Sequence, residues 1–497
     1  MGQSASSEGV LLQQQYQSSL TLFTSYEQGE IKQIFDTICK TPATELECSL
    51  SGFEKSQLQG YIDGKLPDST TNRLYDLLKL LQLCGAVNKP DDVPISHHAF
   101  VVAMAMLFKG TLDQHCHLIH CLATENRNGV PAVELSKFVS GILQHYEKAL
   151  QVSNRMSNWK LECSAESQEK LLKFAVHDAM SVADGDNNKV FDESEIASWL
   201  QKEPFFQTLL INIFHICFSP PAEQNAQGAS ASTETASSDD INISTLHEIK
   251  ALPQCLDIDW AKTSTLLDLP SVLLLNQHIP HSCRGQWRYC FSSQTDGASF
   301  ATMVRHISKQ GPVVMIVRDT DGNVFGGFAS QSWALRPNFT GSSQCFLFSL
   351  SPSYGIYGAS QHNDHYMYLN TDQQTLPNGL GMGGQFDYFG LWIDQEFGTG
   401  HSKAKPKCTT YDSPQLSVKE NFTIDVLEAW AVGPPAKLKD DDLYEDSQVS
   451  ILDRDPEAQA ILDLVGKERK SEGLRDEEPT ADIPEEHNLY PSGAQDN

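Results

Sequence analysis

The sequence predicts an α+β multidomain chain: a helical N-terminal half, a β-sandwich with flanking helices in the C-terminal half, and an acidic tail with one helix. Three observations predict it. Apolar residues recur at three- and four-residue spacing from Glu27 to Phe218, as in EIKQIFDTICK, TNRLYDLLKLLQLCG and ELSKFVSGILQHYEKAL, the period of helices that bury one face. Between 219 and 244 large apolar residues almost vanish in favour of Ser, Ala, Thr and acid. Beyond 267 the period shortens in runs such as WRYCFSS, CFLFSLSPS and FGLWID, bounded by Gly, Pro and Asn. Such runs read as short strands of sheets packed face to face. The boundaries that follow are a flexible N-terminus (1–24), a helical domain (25–218), a disordered linker (219–244), a bridging helical segment (245–266), the β-rich domain (267–433) and the tail (434–497).

Composition narrows the function. The 497 residues suffice for two or three cores. With 36 basic and 64 acidic residues the formal net charge is −28, which excludes a sequence-independent nucleic-acid binder and repels an anionic bilayer. The 12 cysteines form no CxxC pair, so they read as free, mostly buried thiols of a reducing compartment rather than zinc ligands or a redox dithiol. The glycosylation-type matches at Asn242, Asn338 and Asn421 are then coincidental. No apolar run reaches the ~20 residues of a membrane-spanning helix; Phe205 to Phe218 has the length of a buried core helix.

The chain opens Met1-Gly2-Gln3-Ser4-Ala5-Ser6, which fits an N-myristoylation signal with Gly2 as acceptor and Ser6 at the favoured position. One acyl chain gives only marginal, reversible membrane binding. No polybasic segment follows, and Cys39 and Cys48 lie too far along for an adjacent palmitoyl group, so the second contact is expected from a protein partner.

Within the helical domain one connection carries chemistry. DGDNNKVFDESE (184–195) places Asp184, Asp186 and Asn188 at positions 1, 3 and 5, the Val190 carbonyl at 7, Asp192 at 9 and Glu195 at 12, the oxygen pattern of an EF-hand calcium loop. Phe191 at position 8 suits the short strand that pairs two such loops. The departure is Lys189 at position 6, where the sharp turn normally uses Gly. Two readings stand: a calcium site, or an EF-hand relic that no longer binds. No cofactor is required on either, and Ca2+ is the one candidate. TENRNGVPAVEL (124–135) is a partner loop with Gly129 at position 6, but Thr124 and Leu135 replace its acidic ends, so it is not expected to hold metal.

In the β-rich domain Leu266 to Gln277 and FATMVRHISKQG read as helices, and PVVMIVRDTDGNVFGGFAS as a hairpin turning at Asp321-Gly322. Asn363 to Asp394 packs Tyr366, Tyr368 and a glycine cluster before FGLWID. Gly379, Gly381 and Gly384 match G-x-G-x-x-G, yet a dinucleotide fingerprint must follow a buried strand and open a helix. Here a polar turn precedes and an aromatic strand follows, so the glycines are read as a tight turn between strands.

The blocks WRYCFSS, GNVFGGFASQSW, CFLFSL, NDHYMYLN, GLGMGGQFDYFGLWID, CTTYDSPQL and FTIDVLEAWAVG, in this order, resemble the TLDc domain over about a third of the chain. The Met-Gly start, the EF-hand-like half and the acidic tail extend the resemblance to a myristoylated, lysosome-associated, mTOR-associated branch of that family. The resemblance implies partners in the vacuolar proton ATPase and the mTOR complex, a place on the cytosolic face of the lysosomal membrane, and a link to oxidation resistance without an agreed catalytic centre.

An enzyme would need a catalytic set among these residues. His362, Asp364 and His365 suggest a metal site and His401 with Cys408 a cysteine–histidine pair. Neighbouring side chains on a strand face opposite ways, and no nucleophile elbow, triad order or H-E-x-x-H helix is present, so the catalytic set is read as none. Trp333, Tyr366, Tyr368, Phe389, Trp392 and Trp430 are expected in the sandwich core. The competing reading, an antioxidant domain, needs an exposed thiolate; of Cys283, Cys290, Cys345 and Cys408 only Cys408, beside Lys405 and Lys407, qualifies. In the tail Asp455-Pro456 starts a helix over about 455–466. Its Ala458, Ile461, Leu462 and Val465 share a face, which docks on its own domain or, as favoured, on a partner. The chain thus reads as a non-enzymatic, membrane-tethered adaptor, with calcium acting on the helical half where it binds.

Overall fold

The computed structural model describes residues 2–41, 52–83, 94–125, 128–153, 156, 158–181, 189–202, 204–219 and 251–435. Ten helices lie among the described residues before 220: α1 (Gly2–Leu20), α2 (Ser25–Lys40), α3 (Lys55–Ile62), α4 (Asp68–Gln82), α5 (His97–Lys109), α6 (Leu112–Ala123), α7 (Ala132–Val152), α8 (Ala165–Ser181), α9 (Glu193–Lys202) and α10 (Phe205–Cys217). Their starts follow local chemistry. Thr24 accepts from the Glu27 N–H while the Glu27 carboxylate accepts from the Thr24 N–H at 2.7 Å, and Thr111 with Gln114 repeats this box at α6.

The N-terminus corrects the expectation of flexibility. Tyr16, Ser19, Leu20 and Phe23 recur at helical spacing and dock inward, with the Tyr16 ring 4.2 Å from His98 of α5. This narrow stripe is masked in the sequence by the Gln and Ser residues around it.

Two short strands, β1 (Val130–Pro131) and β2 (Val190–Phe191), pair antiparallel within the helical half. The residues from 251 to 266 also differ from expectation: instead of a helix they hold β3 (Gln254–Leu256) and turns. Pro253 lacks the N–H that a helix needs, and β3 finds parallel ladder partners on β4 (Gln286–Ser292). Helices α11 (Leu269–His278) and α12 (Phe300–Ile307) flank the sandwich.

The remaining strands are β5 (Val313–Asp319), β6 (Val324–Ala329), β7 (Arg336–Thr340), β8 (Phe346–Ser351), β9 (Gly355–Gly358), β10 (Met367–Asn370), β11 (Gly379–Gln385), β12 (Tyr388–Asp394), β13 (Thr399–His401) and β14 (Asn421–Val432). They form two antiparallel layers that share β14. Its first residues pair with β13, continuing through β12, β11 and β10 to β7; its remainder pairs with β4 and β5, continuing through β6 and β8 to β9. Met315, Val317, Phe325 and Leu347 of one layer meet Met367, Leu380, Met382 and Leu391 of the other in one core. Val314 and Ile316 point the other way and join a core continuous with the helical half. Strand β5 is thus apolar on both faces, which is why VVMIV reads as an unbroken run.

β11 is the main correction within the sandwich. The glycine stretch is not a turn between two strands but the strand that joins them, pairing with both β10 and β12. A methyl group at Gly381 would lie 2.6 Å from the Phe389 ring, and one at Gly379 2.5 Å from Trp392. Glycine at these two positions lets the large rings of β12 lie across their neighbour.

Candidate functional site

The helical half brings its two loops together. Val130 pairs with Phe191 and Pro131 with Val190, so positions 7 and 8 of the 124–135 stretch face positions 7 and 8 of the 184–195 stretch, as in paired EF-hands. Gly129 sits at φ +125°, and a methyl there would lie 2.7 Å from the Phe191 carbonyl oxygen, so position 6 of the first loop needs glycine. Leu135, at its position 12, is buried. In the second loop Asp184, Asp186 and Asn188 lie outside the described residues. Val190 lies in β2. Asp192 and Glu195 cap α9: Glu195 donates its N–H to Asp192 Oδ1 at 2.9 Å and its Oε2 accepts the Asp192 N–H at 3.1 Å. Ser194 also donates to Asp192, at 2.7 Å, and these two donors hold the Asp192 carboxyl below its usual range, Ser194 leading. Lys189 Nζ reaches Glu195 Oε1 at 3.1 Å and stands 4.5 Å above the Phe191 ring.

A second feature of this pair arises only on folding. His117 Nδ1 lies 3.0 Å and His120 Nδ1 3.4 Å from the same Glu193 oxygen, tying the helix that enters the first loop to the helix that leaves the second. His117 is pushed up to about 9, first by Cys121, whose sulfur lies 3.6 Å from Nε2, and then by Glu193. The three-residue spacing of His117 and His120 was visible, but nothing in sequence pairs it with Glu193.

The helical half is welded to the sandwich. Trp159, between α7 and α8, packs 5.4 Å from Trp430, 6.3 Å from Trp287 and 6.1 Å from Trp260, ring centre to ring centre. Its indole N–H donates to the Pro253 carbonyl at 2.7 Å. Around it the Ala251 N–H donates to Asn212 of α10 at 3.0 Å, the Leu252 N–H to the Tyr146 hydroxyl of α7 at 3.2 Å, and Asn276 of α11 to the Ala251 carbonyl at 2.9 Å. The buried Glu428 carboxylate accepts from Thr265 at 2.8 Å and the Leu266 N–H at 2.9 Å, while burial pushes its pKa up. Every polar atom in this set finds a partner, as a buried junction requires. Both halves accordingly lie within one compact unit, Met1–Ala436. Of these four tryptophans the sequence marks only Trp430 as core; Trp159 sits in a polar stretch that hides its burial.

The residues weighed for catalysis have structural surroundings. His365 Nδ1 lies 2.6 Å from the Gly384 carbonyl and its ring stacks 4.2 Å from Phe339. The His362 N–H donates to Ser360 at 3.2 Å, and the Asp364 carbonyl accepts from the Tyr366 N–H. His401 stacks on Trp392 on the outer face of its sheet, whereas Cys408 belongs to the core between the sheets, beside Gly390 and Leu347. Burial pushes the Cys408 thiol up, and its neighbours Lys405 and Lys407 pair with Glu420 and Asp412 instead. Cys283 and Cys345 are buried, and burial raises Cys290 to about 11. Of the six aromatics expected in the sandwich core, Trp333 lies there with Tyr366 packed against it, whereas Tyr368, Phe389 and Trp392 form a separate buried cluster on the other face of their sheet and Trp430 joins the core shared with the helical half, because alternate residues of a strand face opposite ways. Gly2 is the first residue of α1; the tail residues Ala458, Ile461, Leu462 and Val465 lie outside the described residues.

Comparison with known proteins agrees with this architecture. The TLDc domain family matches residues 260–433. The mTOR-associated protein MEAK7 of Gallus gallus is 37% identical over 482 residues, covering 93% of this chain and 96% of the relative. That of Homo sapiens is 35% identical over 467 residues, covering 91% and 96%. Nuclear receptor coactivator 7 of Homo sapiens is 31% identical over 170 residues, only 34% of this chain and 17% of that protein. The likeness to the first two runs through the paired loops, the weld and the sandwich alike, and the chain belongs to the TLDc family of mTOR-associated MEAK7 proteins.

Proposed function

We propose that this chain is a non-enzymatic adaptor, held at the cytosolic face of the lysosomal membrane by an acyl group on Gly2. It binds the vacuolar proton ATPase through the sandwich, the helical half and the tail helix, and takes part in mTOR signalling. The observation that carries this reading is the extent of the match: relatives named as mTOR-associated align along 96% of their length, not merely across the TLDc domain. The ATPase and the lysosome come from the TLDc resemblance, and the tether from the Met-Gly start. The surroundings of Cys408 weigh against the antioxidant alternative, since a buried thiol with a raised pKa is a poor nucleophile.

The test is affinity capture of intact vacuolar proton ATPase and of mTOR from lysosomal membranes, comparing the full chain, a chain ending at Gly433 and Gly2→Ala. Capture of the ATPase by the full chain, weakened by the truncation, is expected, with Gly2→Ala leaving the lysosomal fraction. Recovery of neither partner by the full chain would overturn the reading.

A further inference from the structure

The loop at 184–195 carries a ligand pattern for calcium and, at its sixth position, a cation of its own. We propose that the Lys189 ammonium takes the electrostatic place of the metal, so that this EF-hand pair is closed by a tethered cation and does not take up calcium. The inference is independent of the partner reading above.

Three observations carry it. The carboxylate at position 12, which in a calcium loop closes the coordination sphere through both oxygens, has both already engaged: Glu195 Oε1 meets Lys189 Nζ at 3.1 Å and Oε2 accepts the Asp192 N–H at 3.1 Å. Asp192, at position 9, has its Oδ1 committed to the Glu195 N–H and the Ser194 hydroxyl. The ammonium is also positioned from below, 4.5 Å above the Phe191 ring, a placement that favours a cation. Phe191 is itself fixed by its pairing with Val130, so the lysine is tied to the strand that couples the two loops. The contrast with Gly129 sharpens the point. The loop whose end residues are Thr124 and Leu135 keeps the glycine, and the loop with the acidic ends has replaced it by a positive charge.

For calcium to enter, Glu195 would have to release the ammonium and the Asp192 N–H together, and the lysine would remain beside a divalent ion. The residues described around position 12 therefore do not fit the metal. Two like charges held within a few ångströms disfavour each other.

Calcium titration calorimetry and calcium-dependent melting of the full-length protein test this, with Lys189→Gly, Lys189→Asn as a second variant that tolerates the turn, and each combined with Glu195→Gln. No saturable calcium uptake by the natural sequence up to millimolar calcium is expected. Removal of the lysine is expected to create one site in the sensor range, Kd about 10⁻⁷–10⁻⁵ M, with a melting midpoint that rises on calcium addition and a loss of both effects when Glu195→Gln is added. Calcium uptake by the natural sequence that Glu195→Gln abolishes would overturn the proposal. So would folded Lys189→Gly and Lys189→Asn proteins that both stay silent to calcium, since Lys189 would then not be what excludes the ion.

Discussion

His117 and His120 approach Glu193 from one helix, and the consequence is a contact whose strength depends on pH. Cys121 and Glu193 favour the charged imidazolium of His117, raising it from 6.5 to about 9. Its contribution to stability is therefore complete below about 6.5 and is lost as pH rises through about 9. Glu193 is held below 4.5, first by His117. Its contribution is present above that value and disappears as pH falls through the folded value. The clasp between α6 and α9 is accordingly firmest between these limits. A melting series from pH 6.5 to 9 should show the natural protein losing stability faster than His117→Gln, and equal slopes would remove the clasp. Because both side chains are nearly half exposed, the difference should be small and should shrink further in high salt.

Among the elements, β11 shows what a one-dimensional reading cannot see. Replacing Gly381 by Val would drive two methyls into Phe389 and Trp392, and overpacking of this kind costs about 1–3 kcal/mol. Urea denaturation should show that loss, whereas the same change at Gly358, where a methyl meets nothing, should leave stability nearly unaltered. Helices α2 to α10 and the hairpin at Gly322 were legible because period and turn chemistry are written in consecutive residues. A run of glycines carries no period, and its identity as a strand comes from rings contributed by β12. The same holds for β3, which depends on partners on β4, and for α1, whose docking stripe is thin. At the candidate site the two loops and the short strand at Phe191 were legible, because EF-hand spacing is local, while the pairing of Phe191 with Val130 came only with the fold. The engagement of Lys189 with Glu195, the Glu193 clasp and the tryptophan weld were not, since each joins residues brought together by folding.

At the level of the whole molecule the weld predicts how the protein unfolds. A continuous core runs from Phe23 through the helices to Trp287 and Trp430, so the helical half and the sandwich should melt in one cooperative transition. Trp159→Ala would remove the central ring of that junction and the hydrogen bond to Pro253, at a cost of about 3–5 kcal/mol. Calorimetry should show a lower melting midpoint, and either one broader transition or two. An unchanged midpoint would mean that the halves hold together elsewhere.

That junction also decides where the chain can be cut. The TLDc match begins at 260, but β3, the Ala251 to Pro253 segment and Trp159 all lie before it, and each is part of the wall behind β4 and β14. A fragment trimmed to the homology boundary would present Trp287 and Trp430 to water as an adhesive apolar surface that the intact protein never shows. Such a fragment would self-associate, or stick to whatever it is mixed with, and its binding behaviour would report the cut rather than the domain.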